Sequence, residues 1–281
     1  MPKEPAYLSF FGLKEEPFTA SPNPRFLYAS PLHHVALQKT RYVVSAKKGL
    51  CVVFGDTGTG KTTLSRLLYQ QFVDDGFITA MITNPSYPTA NQLLRTIMQE
   101  FEYPKFGRSY KASLDRLKEF LLQQAITEKK TLVLIVDEAQ TLTLPMLEFL
   151  RQLLNYETNE QKLLQLVLFS QNELRPKLRR AKNFNNRIAL RATLENLSLE
   201  DSQEMLEFRW QVAGGKNLPF TTEGLKAIFD YSEGVPRTQV ILADNCLLAA
   251  YLKKKKQIDQ SLVTEVAQDQ EIELSEKNEF Q

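Results

Sequence analysis

The stretch VVFGDTGTGKTTL, from Val52 to Leu64, constrains the fold of this chain more than any other feature. An apolar strand runs into a glycine-rich turn of the pattern G-x-x-x-x-G-K-[ST], and a helix pattern follows. Glycines let backbone N–H groups turn inward on phosphates, and the helix N-terminus adds partial positive charge. We therefore predict a nucleotide-binding loop in an α/β fold, built by Gly55, Asp56, Thr57, Gly58, Thr59, Gly60, Lys61, Thr62 and Thr63.

A second segment, TLVLIVDEAQ, predicts a buried strand that ends in two carboxylates. Lys61 is expected to reach the terminal phosphates, and the Thr62 hydroxyl and Asp137 are expected to hold Mg²⁺. Glu138 can orient and deprotonate the attacking water, because phosphoryl transfer depends mainly on charge placed around a loose transition state. The pair of segments predicts an ATPase with ATP and Mg²⁺ as cofactors.

Strand and helix patterns alternate as far as residue 197, which predicts a doubly wound parallel sheet with right-handed crossovers. From residue 198 the pattern is helical only, and residues 198–270 are predicted to form a C-terminal lid of four helices. Residues 1–30, rich in proline and aromatics, are expected to be an irregular segment packed on the α/β domain of residues 31–197. Residues 271–281 are expected to be a mobile acidic tail.

The amino-acid composition excludes some classes of protein but does not by itself identify a function. The formal net charge is +2, so a nucleic-acid site would have to come from local clusters of cations. Cys51 and Cys246 lie in apolar sequence, which favours buried free thiols in a reducing compartment, with a disulfide as the minority alternative. We find no signal-peptide pattern and no apolar run of membrane-spanning length, so we expect a cytoplasmic protein without direct membrane insertion.

The nucleotide motifs together resemble those of the AAA+ ATPases. In that family a polar residue after the next strand senses the γ-phosphate, and here the segment VLFSQNEL offers Gln171, with Ser170 and Asn172 as neighbours. The segment FNNRIALR is similar to the box that carries an arginine finger. The resemblance implies that Arg187, or as second choice Arg191, completes the site of an adjacent subunit in an ATP-dependent ring or helical filament.

The GVPR segment is similar to the motif that opens a lid helix, which implies that Arg237 contacts nucleotide within its own subunit. The N-terminal segment YLSFFGLKEEPFTASPNPRFLYASPLHHVAL resembles the start of ExeA- and MshM-type ATPases of secretion and pilus assembly. The same branch holds transposition ATPases of the TnsC, TniB and IstB type. In both groups the aromatic segment closes over adenine, which implies roles for Phe26 and Tyr28; simple core packing is the alternative.

The choice between a secretion or pilus role and a transposition role depends on whether clusters of basic residues bind DNA. Lys105, Arg108 and Lys111 are interleaved with aromatics, a mixture suited to phosphates and sugars. Residues 177–182 and 253–256 hold two further clusters, although charge runs are commonly solvated faces. We favour a regulator that binds duplex DNA and recruits a transposase or target selector. The alternative is a secretion or pilus ATPase acting on protein partners, and a nucleotide switch that only holds a partner remains a third class.

Overall fold

The computed structural model describes residues 5–159, 161–272 and 274. Within them the chain divides into two compact units. The α/β unit comprises Pro31–Thr57 and Lys61–Leu194. The helical unit comprises the described parts of residues 1–30 and 195–281, together with Gly58–Gly60.

Helices and strands follow one another along the described residues in the following order: α1 (Tyr7–Phe11), α2 (Pro31–Ser45), β1 (Leu50–Gly55), α3 (Lys61–Asp74), β2 (Ile78–Ile82), α4 (Ala90–Glu100), α5 (Tyr110–Leu122), β3 (Leu132–Val136), α6 (Leu144–Leu154), β4 (Leu164–Ser170), α7 (Leu174–Arg180), α8 (Lys182–Asn185), β5 (Ile188–Leu194), α9 (Leu199–Val212), α10 (Thr222–Ser232), α11 (Pro236–Leu252) and α12 (Gln260–Asp269). Short turns of other helix types lie at Pro24–Phe26, Gln123–Thr127 and Ala139–Thr141.

The sheet of the α/β unit has the strand order β2-β3-β4-β1-β5 in the part of the chain that is described. All four pairings are parallel, which confirms the predicted α/β class. Strands β1, β3 and β4 are buried along their whole length, because helices cover both faces of such a sheet. Since β4 lies between β1 and β3, the loops that follow these three strands meet at one edge.

The first residues of several helices are determined by the side chains next to them. The hydroxyls of Thr89, Ser109 and Ser198 each accept a hydrogen bond from a backbone N–H of the first turn of the helix that follows. α2 begins at Pro31, as the Ser30–Pro31 pair predicts, because proline at the first helical position lacks only an N–H that has no helical partner there. Two features were missed from the sequence: α7 and α8, which interrupt the stretch between β4 and β5.

The helical unit corrects the prediction for residues 1–30. These residues group with α9–α12 rather than with the α/β unit, and they contain a helix. Phe18 and Phe26 are buried with Trp210 in the apolar core of the helical unit, and the guanidinium of Arg209 donates to the backbone carbonyls of Pro17, at 2.9 Å, and Phe26, at 3.1 Å. The segment is apolar because it supplies a wall of that core.

Four helices, α9–α12, follow residue 198 among the described residues. The tail expected at residues 271–281 lies largely outside the described residues. No helix within the described ranges is both long enough and apolar enough to cross a membrane.

Candidate functional site

The candidate site lies where β1, β4 and β3 end side by side. Phe54 pairs with Ser170 and Val136 pairs with Leu168, so the residues just beyond the three strands come to the same level of the sheet. This edge carries the glycine-rich loop after β1, Asp137 and Glu138 after β3, and Gln171 after β4. In parallel α/β sheets ligands bind at the carboxyl ends of the strands.

The glycine-rich loop has the backbone that phosphate binding requires. Gly58 and Gly60 have φ values of 87° and 92°, a region that favours glycine over other residues. A Cβ on Gly58 would also lie 2.8 Å from Cγ1 of Val235, too close for any side chain. Glycine is therefore required at Gly58 on two grounds, and helix α3 starts directly after the loop with its N–H groups aimed along the loop.

Lys61 is the first residue of α3 and is buried. Its ammonium donates to the carbonyl oxygens of Gly55 and Asp56, both at 2.8 Å. Burial lowers the pKa of Lys61, and the carboxylates of Glu138 and Asp137 oppose that shift. The site therefore holds a cation at the mouth of the loop that can exchange carbonyl partners for phosphate oxygens.

Asp137 has the surroundings of a magnesium ligand. It is buried, its Oδ1 accepts the Glu138 N–H at 3.0 Å, and its Oδ2 lies 3.4 Å from the Ser65 hydroxyl. Burial raises the pKa of Asp137, and a hydrogen bond from Thr62 opposes that rise. A buried carboxylate in contact with the hydroxyl of the P-loop threonine offers the hard oxygen donors that Mg²⁺ prefers. The two residues predicted to bind Mg²⁺, Thr62 and Asp137, therefore lie in contact with each other.

Glu138 sits in a strained backbone position, with φ 52° and ψ 36°. Non-glycine residues in this region are uncommon and cluster at functional sites. Its Oε2 accepts hydrogen bonds from the side-chain amides of Gln171, at 3.3 Å, and Gln140. Gln140 carries no recognisable motif in the sequence, and its signal there is its place two residues after the predicted base.

Gln171 links the two halves of the site. Its Oε1 accepts a hydrogen bond from the Thr57 hydroxyl at 3.2 Å, while its Nε2 donates to Glu138. Asn172 donates to Asp56 of the loop at 2.6 Å and accepts from Arg175 at 2.8 Å. The end of β4 therefore contacts the glycine-rich loop through two adjacent side chains.

The three candidate arginines lie in different places. Arg187 is exposed and immediately precedes β5, whose first residue pairs with Leu50 at the start of β1. It is therefore at the edge of the sheet opposite to the glycine-rich loop. Arg191 is bonded to the side chain of Asn185 at 2.8 Å. In the helical unit, the backbone N–H of Arg237 donates to the Gly58 carbonyl at 3.2 Å, and its side chain is exposed.

The two aromatic candidates have packing roles in the helical unit. Phe26 is 2% exposed and its ring lies under the Arg209 guanidinium at 5.2 Å. The Tyr28 hydroxyl is bonded to Asp201 and to Glu204, and burial followed by these two acids raises the pKa of Tyr28. Phe26 is thus occupied in the core, which is the packing alternative stated for it.

The basic loop between α4 and α5 turns its aromatic rings inward. Tyr103 stacks on Phe120 with ring centroids 4.6 Å apart, and the ammonium of Lys105 lies 5.2 Å from the Tyr103 ring. Phe106 packs against the core, with the Arg95 guanidinium at 4.9 Å. These two rings are therefore partly buried, whereas Tyr110, the first residue of α5, is 39% exposed. The exposed cations of this loop are Lys105, Arg108 and Lys111.

Three cations of the other two clusters have intramolecular partners, while the remaining members, Arg179, Arg180, Lys182, Lys254 and Lys255, are exposed. Lys177 donates to the carbonyl oxygens of Gln140 and Leu142, beside the two acids. In the helical unit, Lys253 pairs with Glu265. Lys256 donates to the Phe10 carbonyl, and its ammonium lies 3.5 Å from the centre of the Phe10 ring.

Comparison with known proteins agrees with this geometry. Residues 44–178 match the family described as AAA domain. General secretion pathway protein A from Aeromonas hydrophila is 40% identical over 255 residues, which is 90% of this chain and 46% of that protein. The chain thus spans less than half the length of this relative.

Solved structures agree in fold at low identity. Cdc6p from Pyrobaculum aerophilum matches with a TM-score of 0.65 and 18% identity over 87% of this chain and 70% of its own. A Drosophila ORC structure bound to DNA matches with a TM-score of 0.70 and 17% identity over 97% of this chain and 70% of its own. At such identities the likeness concerns the fold alone.

Proposed function

The chain carries an AAA+ P-loop ATPase domain of the ExeA-like branch, and from this premise we propose that it drives a step of secretion or pilus assembly by acting on protein partners. The observation that supports this proposal most is the 40% identity to General secretion pathway protein A over 90% of this chain. The proposal includes the cytoplasmic location expected from the reduced cysteines and ATP chemistry.

The proposed hydrolytic roles follow from the contacts at the strand ends. Lys61 would bind the terminal phosphates, while Thr62 and Asp137 would hold Mg²⁺, which neutralises phosphate charge when bound. Glu138 would take a proton from water so that the hydroxide attacks the γ-phosphorus and the bond to ADP breaks. Gln171 is close enough to the loop and to Glu138 to report the state of the γ-phosphate to the base.

The proposal also includes assembly with ATP. Arg187 lies too far along the sheet to serve its own loop, so its proposed role is to complete the site of a neighbouring subunit. A finger supplied in this way is worth about 10³–10⁵ in rate. Hydrolysis would then report assembly, and ATP would favour the ring or filament by bridging subunits.

The DNA-bound transposition role has weaker support than the sequence analysis gave it. Two aromatics of the basic loop, Tyr103 and Phe106, pack inward, and Lys177, Lys253 and Lys256 have partners within the chain. Lys105, Arg108 and Lys111 remain as exposed cations of that loop. Solvated faces commonly carry such charges.

Sedimentation with a slowly hydrolysed ATP analogue, with and without duplex DNA and at two salt concentrations, tests the proposal. We expect assemblies that form with nucleotide alone. A variant in which Lys105, Arg108 and Lys111 are all glutamate should assemble equally well.

Assembly that requires DNA, fails in the glutamate variant and dissolves steeply as salt rises would overturn the proposal in favour of transposition. The slope of log affinity against log salt would then be about −0.9 for each phosphate contacted.

A further inference from the structure

Gln140 is a polar side chain of the site to which neither the sequence motifs nor the resemblance assigns a role. It lies in the turn Ala139–Thr141, two residues after the proposed base. Its Oε1 accepts a hydrogen bond from the backbone N–H of Gln171 at 3.1 Å. The Ser170 hydroxyl lies 3.3 Å from the same oxygen and has a shorter contact, 2.9 Å, with the Gln171 carbonyl. Because the Gln171 N–H fixes which end of the amide is oxygen, Nε2 is the end that faces Oε2 of Glu138.

The backbone of the same turn is also held. The ammonium of Lys177 donates to the carbonyl oxygens of Gln140 and Leu142, the latter at 3.2 Å. The Thr141 hydroxyl and N–H both donate to the carbonyl oxygen of Glu138 at 3.0 Å. The side-chain oxygen and the backbone of Gln140 are thus both held by hydrogen bonds. Its amide nitrogen therefore has little freedom to move and can hold another side chain in place.

Glu138 needs such a support. Its side chain has three rotatable bonds and follows a backbone in the left-handed region, and a base must be held in line with the water it activates. Gln140 and Gln171 both donate to Oε2, which leaves Oε1 as the oxygen that takes the proton. The two amides are anchored differently, since Gln171 is bonded to Thr57 of the glycine-rich loop and Gln140 to the end of β4.

We propose that Gln140 is a positioning residue for ATP hydrolysis, which holds the Glu138 carboxylate in the orientation that activates water. Gln171 contacts the loop and can change partners when nucleotide binds, whereas Gln140 keeps Glu138 attached to the sheet throughout. The inference rests on the proposed role of Glu138 as the base.

Single-turnover hydrolysis with the protein in excess of ATP, at a concentration that gives assembly, tests this role. Gln140→Ala and the equally long, apolar Gln140→Met should each lower the rate between about tenfold and a hundredfold, because small misplacements of a reacting group have effects of this size. The affinity for a fluorescent ATP analogue should stay within about twofold, since Gln140 does not contact the loop. Gln70→Ala, on the exposed face of α3, is the matched control and should hydrolyse as the unsubstituted protein does.

A double-mutant cycle separates positioning from a general structural role. In a Glu138→Gln background, Gln140→Ala should lower the residual rate no further, because the base through which it acts is gone. A further loss in that background, or a loss of nucleotide affinity in Gln140→Met, would assign Gln140 a structural role and overturn the inference.

The activities of the variants distinguish failure of the Gln140 inference from failure of the proposed role of Glu138. Gln140 variants that hydrolyse normally while Glu138→Gln is inactive would refute the inference and leave the role of Glu138 standing. A Glu138→Gln protein that hydrolyses normally would refute both.

Discussion

Arg187→Ala gives the most informative test of the assembled enzyme, because the sheet geometry excludes an action within one subunit. The first residue of β5, Ile188, pairs with Leu50, and the glycine-rich loop begins at Gly55. From Leu50 to Gly55 the strand therefore rises about 17 Å, at ~3.3 Å per residue. An arginine side chain extends only about 7 Å by standard bond lengths, so Arg187 cannot reach a γ-phosphate held by its own Lys61.

The expected result is a loss that depends on assembly. Arg187→Ala should bind nucleotide normally, because its position is remote from its own loop. In the assembled state it should lose about 10³-fold or more of the hydrolysis rate. In dilute, dissociated protein the variant and the unsubstituted chain should hydrolyse at the same low rate.

Mixing two inactive variants gives the decisive measurement. Glu138→Gln subunits keep Arg187, and Arg187→Ala subunits keep Glu138. In a head-to-tail assembly formed at random from equal amounts, about a quarter of the sites combine an intact base with an intact neighbouring arginine. Steady-state ATPase activity should therefore recover to about a quarter of the unsubstituted level.

Absence of recovery in assemblies confirmed to contain both variants would refute the action across subunits. Normal activity of Arg187→Ala alone would transfer the role to Arg191 or another residue. Arg180→Ala, on the last turn of α7, is a control for loss of a neighbouring surface cation.

Three further predictions concern binding and stability. Lys61→Ala should weaken ATP binding about a hundredfold, because it removes charge-assisted bonds worth about 1.5–3 kcal/mol; unchanged affinity in a fluorescence titration would contradict this. Burial raises the pKa of Asp137 above its ordinary value of 3.8, so its stabilising contribution is full below that value and is lost as pH rises through the folded-state pKa. Asp137→Asn should accordingly raise the unfolding free energy near pH 7 by about 1 kcal/mol and remove the Mg²⁺ dependence of nucleotide binding; a less stable variant in urea titration would be the contrary outcome. Arg209→Met should destabilise the helical unit by about 3 kcal/mol, because buried carbonyls lose a charged donor; circular dichroism in urea measures it, and an unchanged midpoint would show that the guanidinium is dispensable.

The nucleotide side of the site was predictable because its residues are specified by local chemistry. A glycine that needs positive φ, a lysine that opens a helix and a buried strand that ends in acids each leave a readable pattern. The bounds of β1 and the start of α2 at Pro31 follow from similar local signals. The strand order was not readable, because it depends on which crossovers pack together rather than on any one segment.

Gln140, Asn172 and Lys177 could not be assigned from the sequence for a related reason. Each has a hydrogen-bond partner more than thirty residues away along the chain: Gln140 is held by the Gln171 N–H, Lys177 contacts Gln140, and Asn172 contacts Asp56. The aromatics of residues 1–30 were correctly read as too apolar for a free tail. Their partner was assigned wrongly, because apolar character does not say which of two cores a segment completes.

The grouping of the first and last parts of the chain in one unit has a consequence for biosynthesis. The Tyr7 hydroxyl is bonded to Asp244, so Tyr7 can find this partner only after Asp244 has left the ribosome. The α/β unit can begin to fold once Leu194 has emerged, but the N-terminal aromatics must wait without a core. During that interval they expose apolar side chains, the kind of surface that chaperones bind.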